Sequence, residues 1–299
     1  MTDKAGRVGR SLLYSKFICI ACAAISFAAG APARGQSAAA KQLRNVCATD
    51  GDLRGRVVDV DARLELTLDT GVRLRLSGIE PPRSTLDNPG LALEARDRLK
   101  SWLVGREIHF QHLSSAPDRW GRMEANVSAP EPDGGSSLSV AEALLDAGLA
   151  RALPDAVSRA CMPGLLRHEQ AARAARRGLW TDRSYAILAA QDRDAFANRG
   201  GETIVVEGDV LGSGETRAIT YLNFGPIRTV DFAVTLRRQA LRLFETAGLH
   251  PRDFEGQRLR VRGQLDTRFG PQIDIADPAA IEILSDERKP PQSRPVTGR

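Results

Sequence analysis

Apolar and polar residues alternate from Leu53 to Ser77: Val58 and Val60, then Leu64, Leu66 and Leu68, then Val72, Leu74 and Leu76. A period of two predicts three short, half-buried strands, with turns near Asp61-Ala62 and at Asp69-Thr70-Gly71. The period then lengthens. In "NPGLALEARDRLKSWLVGR" the residues Ala92, Ala95, Leu99, Trp102 and Leu103 share one helical face and Gly105 supplies a stop, which predicts a helix over 90–104. "EIHFQHL" and "GRMEANVSA" read as two further strands around the turn "APDRWGR". "SVAEALLDAGLA" is a second helix, opened by Ser139 with Glu142 three residues on as a capping box. A third helix runs from about Pro163 to Arg177 and stops at Gly178. Strands followed by grouped helices predict an α+β unit built on a small barrel, over residues 52–183.

Residues 184–201 read as a polar, Ala-rich linker ending in "NRGG". Strand signals then resume in "TIVVEGDVL", "TRAITYLNFG" and "TVDFAVTL", pause for a helix across Arg237 to Ala247, and return in "QRLRVRGQLDT", "PQIDIA" and "AIEIL". One helix after the third strand matches the strand order of an OB-type barrel, placed at 202–285. The tail over 286–299 has no apolar face and is expected to be disordered.

The first 35 residues change how charge and cysteines are read. Lys4, Arg7, Arg10 and Lys16 precede the apolar run Phe17 to Ala29, which leads into the small residues of "GAPARGQSAAA". That is the order of a cleaved signal peptide. The run is shorter than the roughly 20 residues of a membrane span, so no stable anchor is expected and the mature protein is placed in the periplasm or outside the cell. Residues 1–35 carry four of the chain's net +5 charges, so the mature chain is near neutral and its basic pI is no argument for nucleic acid. Cys19 and Cys22 leave with the leader. Cys47 and Cys161 remain, and in an oxidising compartment they are expected to pair. No Cys/His spacing suggests zinc.

Three stretches, "VRLRLSGIEPP" at 72–82, "DRWGR" at 118–122 and "HEQAARAARRGLW" at 168–180, give residues 52–183 a resemblance to the thermonuclease, or staphylococcal-nuclease-like, family. The resemblance implies a five-stranded OB barrel with three helices, a calcium ion, and hydrolysis of phosphodiester bonds in DNA or RNA. Such chemistry needs carboxylates to hold a hard cation, a base to position water, and guanidinium groups to neutralise the phosphate. Arg75 stands five residues before Glu80 and matches the family's first phosphate-binding arginine; Arg122 matches the second. Arg75, Glu80 and Arg122 are therefore the candidate catalytic residues, with Trp120 in the tyrosine position of its motif as a stacking surface.

The carboxylates depart from the family pattern. Glu80 takes an aspartate position, one methylene longer. The second metal position is open in register: without a gap it is Asp61, following Asp59, whereas matching the "LELTL" alternation places it at Ala62, which cannot hold a cation. Arg83 stands where the family has its general-base glutamate, and a guanidinium cannot accept a proton. The nearest downstream acid is Asp87, beyond Ser84, Thr85 and Leu86. General-base assistance is worth roughly 10²- to 10⁴-fold, so calcium binding is expected to be weak or lost and nuclease activity impaired or absent. Arg167, Arg173, Arg176 and Arg177 surround the single acid Glu169 on the third helix, which reads as a solvated face; His168 reads as exposed or capping. In the second barrel Tyr221, Phe224 and Phe232, with Arg217, Arg228, Arg260 and Arg262, are candidates for binding a single strand, core packing being the plainer role for the aromatics. Three functions follow: a nuclease-like binder of nucleic acid or another polyanion, a working calcium-dependent nuclease, or an envelope scaffold that binds protein.

Overall fold

The computed structural model describes residues 53–131 and 137–284. The expected leader, Cys47 and the tail lie outside them.

Strands β1 (Leu53–Val60), β2 (Leu66–Leu68) and β3 (Arg73–Leu76) form the predicted meander. After them come β4 (Ile79–Glu80), helix α1 (Leu91–Leu103), β5 (Glu107–His112), β6 (Arg122–Pro130) and β7 (Ser137–Ser139). Helix α2 (Val140–Asp146), β8 (Arg151–Ala152) and helix α3 (Met162–Ala174) complete this half. The sheet runs β3-β2-β1-β5-β6, and β3 also pairs with β6 in parallel, which closes five strands into a barrel. Closure leaves no edge, and the inward row of Leu66, Leu74, Leu76, Ile108, Ala125 and Val127 fills the interior. Alternation slips at one place. Val57 is buried and Val58 is 47% exposed, because the β1–β2 register shifts between Val57 and Asp59 and the bulge resets which face points in. Ser139 caps α2 as expected, accepting the Glu142 amide through Oγ at 3.3 Å. α3 ends at Ala174, short of Gly178, where Arg176 turns to φ 49°.

The predicted linker is part of the second barrel. β9 (Leu188–Ala189) pairs in parallel with β10 (Thr203–Asp209), and Leu188, Ala190 and Phe196 are buried in the second core. β11 (Gly212–Glu215), β12 (Ile219–Asn223), β13 (Ala233–Arg237), helix α4 (Arg238–Thr246), β14 (Arg258–Asp266), β15 (Gln272–Asp274) and β16 (Ile281–Leu284) follow. Pairings β11–β12, β12–β13, parallel β13–β15, β15–β14 and β14–β10 form a circuit that closes through Val210-Leu211, where the first strand breaks into β10 and β11. This is the OB strand order, with the helix after the third strand. No helix among the described residues is long and apolar enough to cross a membrane.

The two barrels have separate apolar cores but belong to one compact unit. Charge joins them. Glu169 of α3 is fully buried and receives Arg262 Nη1 of β14 at 3.0 and 3.1 Å, the Ala152 amide at 2.7 Å and Arg173 Nη1 at 3.3 Å. Arg262 also reaches Glu282 at 2.7 Å and the Ala152 carbonyl at 3.3 Å. Arg159 forks onto Asp277 at 2.8 and 2.6 Å. Glu169 is thus the hub of the interface rather than the one acid on a solvated helix face, and Arg262 is a counter-charge that no strand of nucleic acid can reach.

Candidate functional site

The corner after β3 is built by its own sequence. Gly78 adopts φ +74°, and a Cβ there would lie 2.5 Å from Leu165 of α3, so only glycine lets the chain turn against that helix. β4 then pairs with β8, putting Glu80 opposite Arg151. Pro81 and Pro82 end the strand by removing two amide donors. Arg83 is held by its backbone: its amide donates to Tyr185 Oη at 2.6 Å, and that hydroxyl donates to the Arg83 carbonyl at 3.1 Å.

The corner walls a cavity of about 440 Å³ lined by Arg63, Arg75, Arg83 and Arg122 against two acids, Glu65 and Glu80. Parallel pairing of β3 with β6 brings Arg73 level with Arg122 and Arg75 level with Glu124, so residues nearly fifty apart share one face. The structure thus gathers Arg75, Glu80 and Arg122, the candidate catalytic set, around one space.

Each side chain is differently engaged. Glu80 accepts Arg151 on Oε2 and Thr203 Oγ1, from the second barrel, on Oε1 at 2.9 Å; Arg83 lies 3.6 Å from the same Oε1. Arg122 is nearly buried, with Nη1 on Glu65 and Nε on Asp118 at 2.8 Å. Its hydrogen bond with Arg122 is the main cause that holds the Asp118 carboxyl down to about 2. Arg75 differs: among the described residues no carboxylate lies within ion-pair distance of it, and its charge acts on Glu124. Burial first, then the neighbouring Asp155 carboxylate, pushes Glu124 above its ordinary range, with Arg75 pulling the other way. Trp120 stands outside the cavity wall, its ring under the guanidiniums of Arg119 at 4.0 Å and Arg122 at 4.6 Å.

Glu65 is the site residue that the sequence pattern does not single out. It is buried, and it takes Arg73 on one oxygen and Arg122 on the other. Asp61 sits at the rim as a turn residue, its Oδ1 accepting the amides of Arg63 at 2.8 Å and Glu65 at 2.9 Å. Ala62, not Asp61, lines the cavity.

Residues 73–182 match the family model of staphylococcal nuclease homologues. Over these residues the chain is similar to staphylococcal nuclease. No curated protein matches the chain. The match begins at β3, and β1 and β2 upstream of it complete the barrel of the nuclease-like domain.

Nucleases of this family depend on calcium, and the donor set in this domain does not fit that ion. Among the described residues no three His, Cys, Asp or Glu side chains converge as a metal group. Glu80 and Glu65 each have both oxygens committed to arginine or threonine, and Asp61 is turned toward backbone amides. Calcium takes six to eight oxygen ligands, whereas these carboxylates already have cationic partners.

The other candidates sort by burial. Phe224 and Phe232 are core residues that stack edge to face at 5.2 Å, and Phe232 also stacks on Phe196 at 5.3 Å, so neither can meet a base. Arg260 pairs with Glu207 at 2.7 Å and Glu282 at 3.2 Å. Arg217 is exposed and gives its carbonyl to Arg238. Arg167 bonds the Pro163 carbonyl, and Arg177 bonds that of Asp146. His168 Nδ1 lies 2.9 Å from Asp146 and links α3 to α2. Cys161 precedes α3 and is disulfide-bonded; Cys47 lies outside the described residues.

Proposed function

We propose that the nuclease-like domain works as an exported binding module for nucleic acid or another polyanion, with phosphodiester hydrolysis impaired or absent. One observation carries the reading. The carboxylates that would hold a cation are saturated by Arg151, Thr203, Arg73 and Arg122, while among the described residues Arg75 faces the same cavity with no carboxylate within ion-pair distance. Four arginines against two glutamates leave the cavity net positive, which suits a phosphate and opposes a second cation. Arg83 adds charge where a proton acceptor would be needed. Export and a Cys47–Cys161 bond belong to the same proposal, supported by the leader-like N-terminus and the bonded Cys161.

Degradation of plasmid and RNA by the mature protein, with calcium and with chelator and beside Glu80→Ala, tests it. The expected result is little turnover under any condition. Rapid chelator-sensitive cleavage that Glu80→Ala abolishes would establish the calcium-dependent nuclease instead. Binding of a duplex DNA fragment should weaken with salt and fall several-fold in Arg75→Ala. Absence of binding at low salt would leave the envelope scaffold. Non-reducing peptide mapping should show Cys47 joined to Cys161.

A further inference from the structure

The helix side of the second barrel holds a cavity whose charge is opposite to that of the Arg75 cavity. It lies between α4, the turn Pro251–Phe254 and the far end of the β11–β12 hairpin, with a volume of about 590 Å³. Pairing sets Glu215 beside Thr220 on the same row as the core residues Leu222 and Leu236, so both lie on the helix side of the hairpin and not on the outer face of the sheet. Leu241 and Pro251 make an apolar wall.

Three carboxylates line this cavity, those of Glu215, Glu245 and Glu255, against one guanidinium, that of Arg252. Elsewhere in the barrel Glu202, Glu207 and Glu282 each hold an arginine. Among the described residues none of Glu215, Glu245 and Glu255 has an ion-pair partner. Glu255 is fixed in place: its Oε1 accepts the Ser213 amide at 3.0 Å and the Ser213 hydroxyl. The hydroxyl bond is the main cause that holds the Glu255 carboxyl below its ordinary range, which keeps it ionised.

Thr220 supplies an independent sign of a ligand. It is only 6% exposed, the cavity reaches it, and its hydroxyl has no hydrogen-bond partner among the described residues. A buried hydroxyl left unpaired is costly, and in an acidic cavity the group that satisfies it is a cation that donates hydrogen bonds. The acids are spread along the walls. Among the described residues no three His, Cys, Asp or Glu side chains converge as a metal group, so a point-like divalent ion does not suit them. An ammonium donates three hydrogen bonds, and methylenes between two ammoniums can lie on Leu241 and Pro251 while the charges reach separate glutamates.

We infer that this cavity binds a linear polyamine, with Thr220 accepting a hydrogen bond from one ammonium and Glu215, Glu245 and Glu255 countering the charge. The site is separate from the Arg75 cavity and does not depend on the function proposed for it.

Calorimetric titration of spermidine into the nucleic-acid-free protein at low salt tests the inference. Thr220→Val keeps the side-chain shape and removes the hydroxyl, and should weaken binding about tenfold. Glu215→Gln and Glu245→Gln should each weaken it about threefold, and Arg252→Gln should strengthen it by about the same factor. Arg75→Ala should leave spermidine binding unchanged while it weakens duplex binding, which separates failure of this inference from failure of the other. Glu215 and Glu245 are exposed, so their variants retain the fold, and circular dichroism verifies this for all variants. No spermidine binding at low salt, binding that the Thr220 and glutamate changes leave untouched, displacement of spermidine by an equal concentration of magnesium, or tighter Thr220-dependent binding of a lysine-rich peptide would each overturn it.

Discussion

Glu65 holds two arginines away from any ligand. Replacing it by glutamine removes its charge and one of the two oxygens that accept Arg73 and Arg122, while the Asp118 fork keeps Arg122 in place. Glu65→Gln should strengthen binding of duplex DNA several-fold, read by anisotropy, and cost about 2 kcal/mol of stability in denaturant titration, the usual worth of hydrogen bonds to charged groups. Asp118 makes a pH prediction. Its carboxyl, ordinarily near 3.8, is held at about 2 when folded, so the stability it contributes is complete above 3.8 and lost as pH falls toward 2. Asp266, held at about 2 chiefly by Arg268, behaves alike. Thermal melts should show Asp118→Asn and Asp266→Asn flattening the loss of melting temperature between pH 4 and pH 2. The candidate set was legible where spacing along one stretch carries it: Arg75 and Glu80 are five residues apart, and Arg122 closes a short turn. Glu65 was not legible, because alternation marks it as an outward position and its burial comes from arginines 8 and 57 residues away.

Elements were legible to within a few residues wherever one period ran unbroken. The helix expected at 90–104 spans Leu91–Leu103, and the helix expected across Arg237 to Ala247 spans Arg238–Thr246. What a periodic pattern cannot carry is the partner of each face. α3 has the composition of a solvated basic helix, yet its only acid is fully buried against β14, a strand 93 residues further along. Likewise, the segment read as a linker supplies Leu188 and Phe196 to a core whose other members come later in the chain. Arg262→Ala should cost about 4 kcal/mol, because it strands Glu169 as a buried, incompletely compensated charge. The paired change Glu169→Leu with Arg262→Met should recover most of that loss. A double-mutant cycle in urea measures both.

At the scale of the whole molecule, two barrels with independent cores share buried ion pairs, and Thr203 of one bonds Glu80 of the other. Thermal unfolding of the protein should therefore show a single transition by both tyrosine fluorescence and far-UV circular dichroism, and truncation after residue 183 should leave a poorly folded first barrel. The coupling between the barrels was not legible, because it resides in a few charged side chains that read as surface.

The Glu169–Arg262 pair also bears on inheritance. A recombination event that joined the first barrel to a different neighbour would leave a carboxylate sealed in the new joint with only Arg173 of its own helix to meet it. The two halves of the gene are bound to travel together, so relatives of this chain should keep or lose the acid and the arginine as one character.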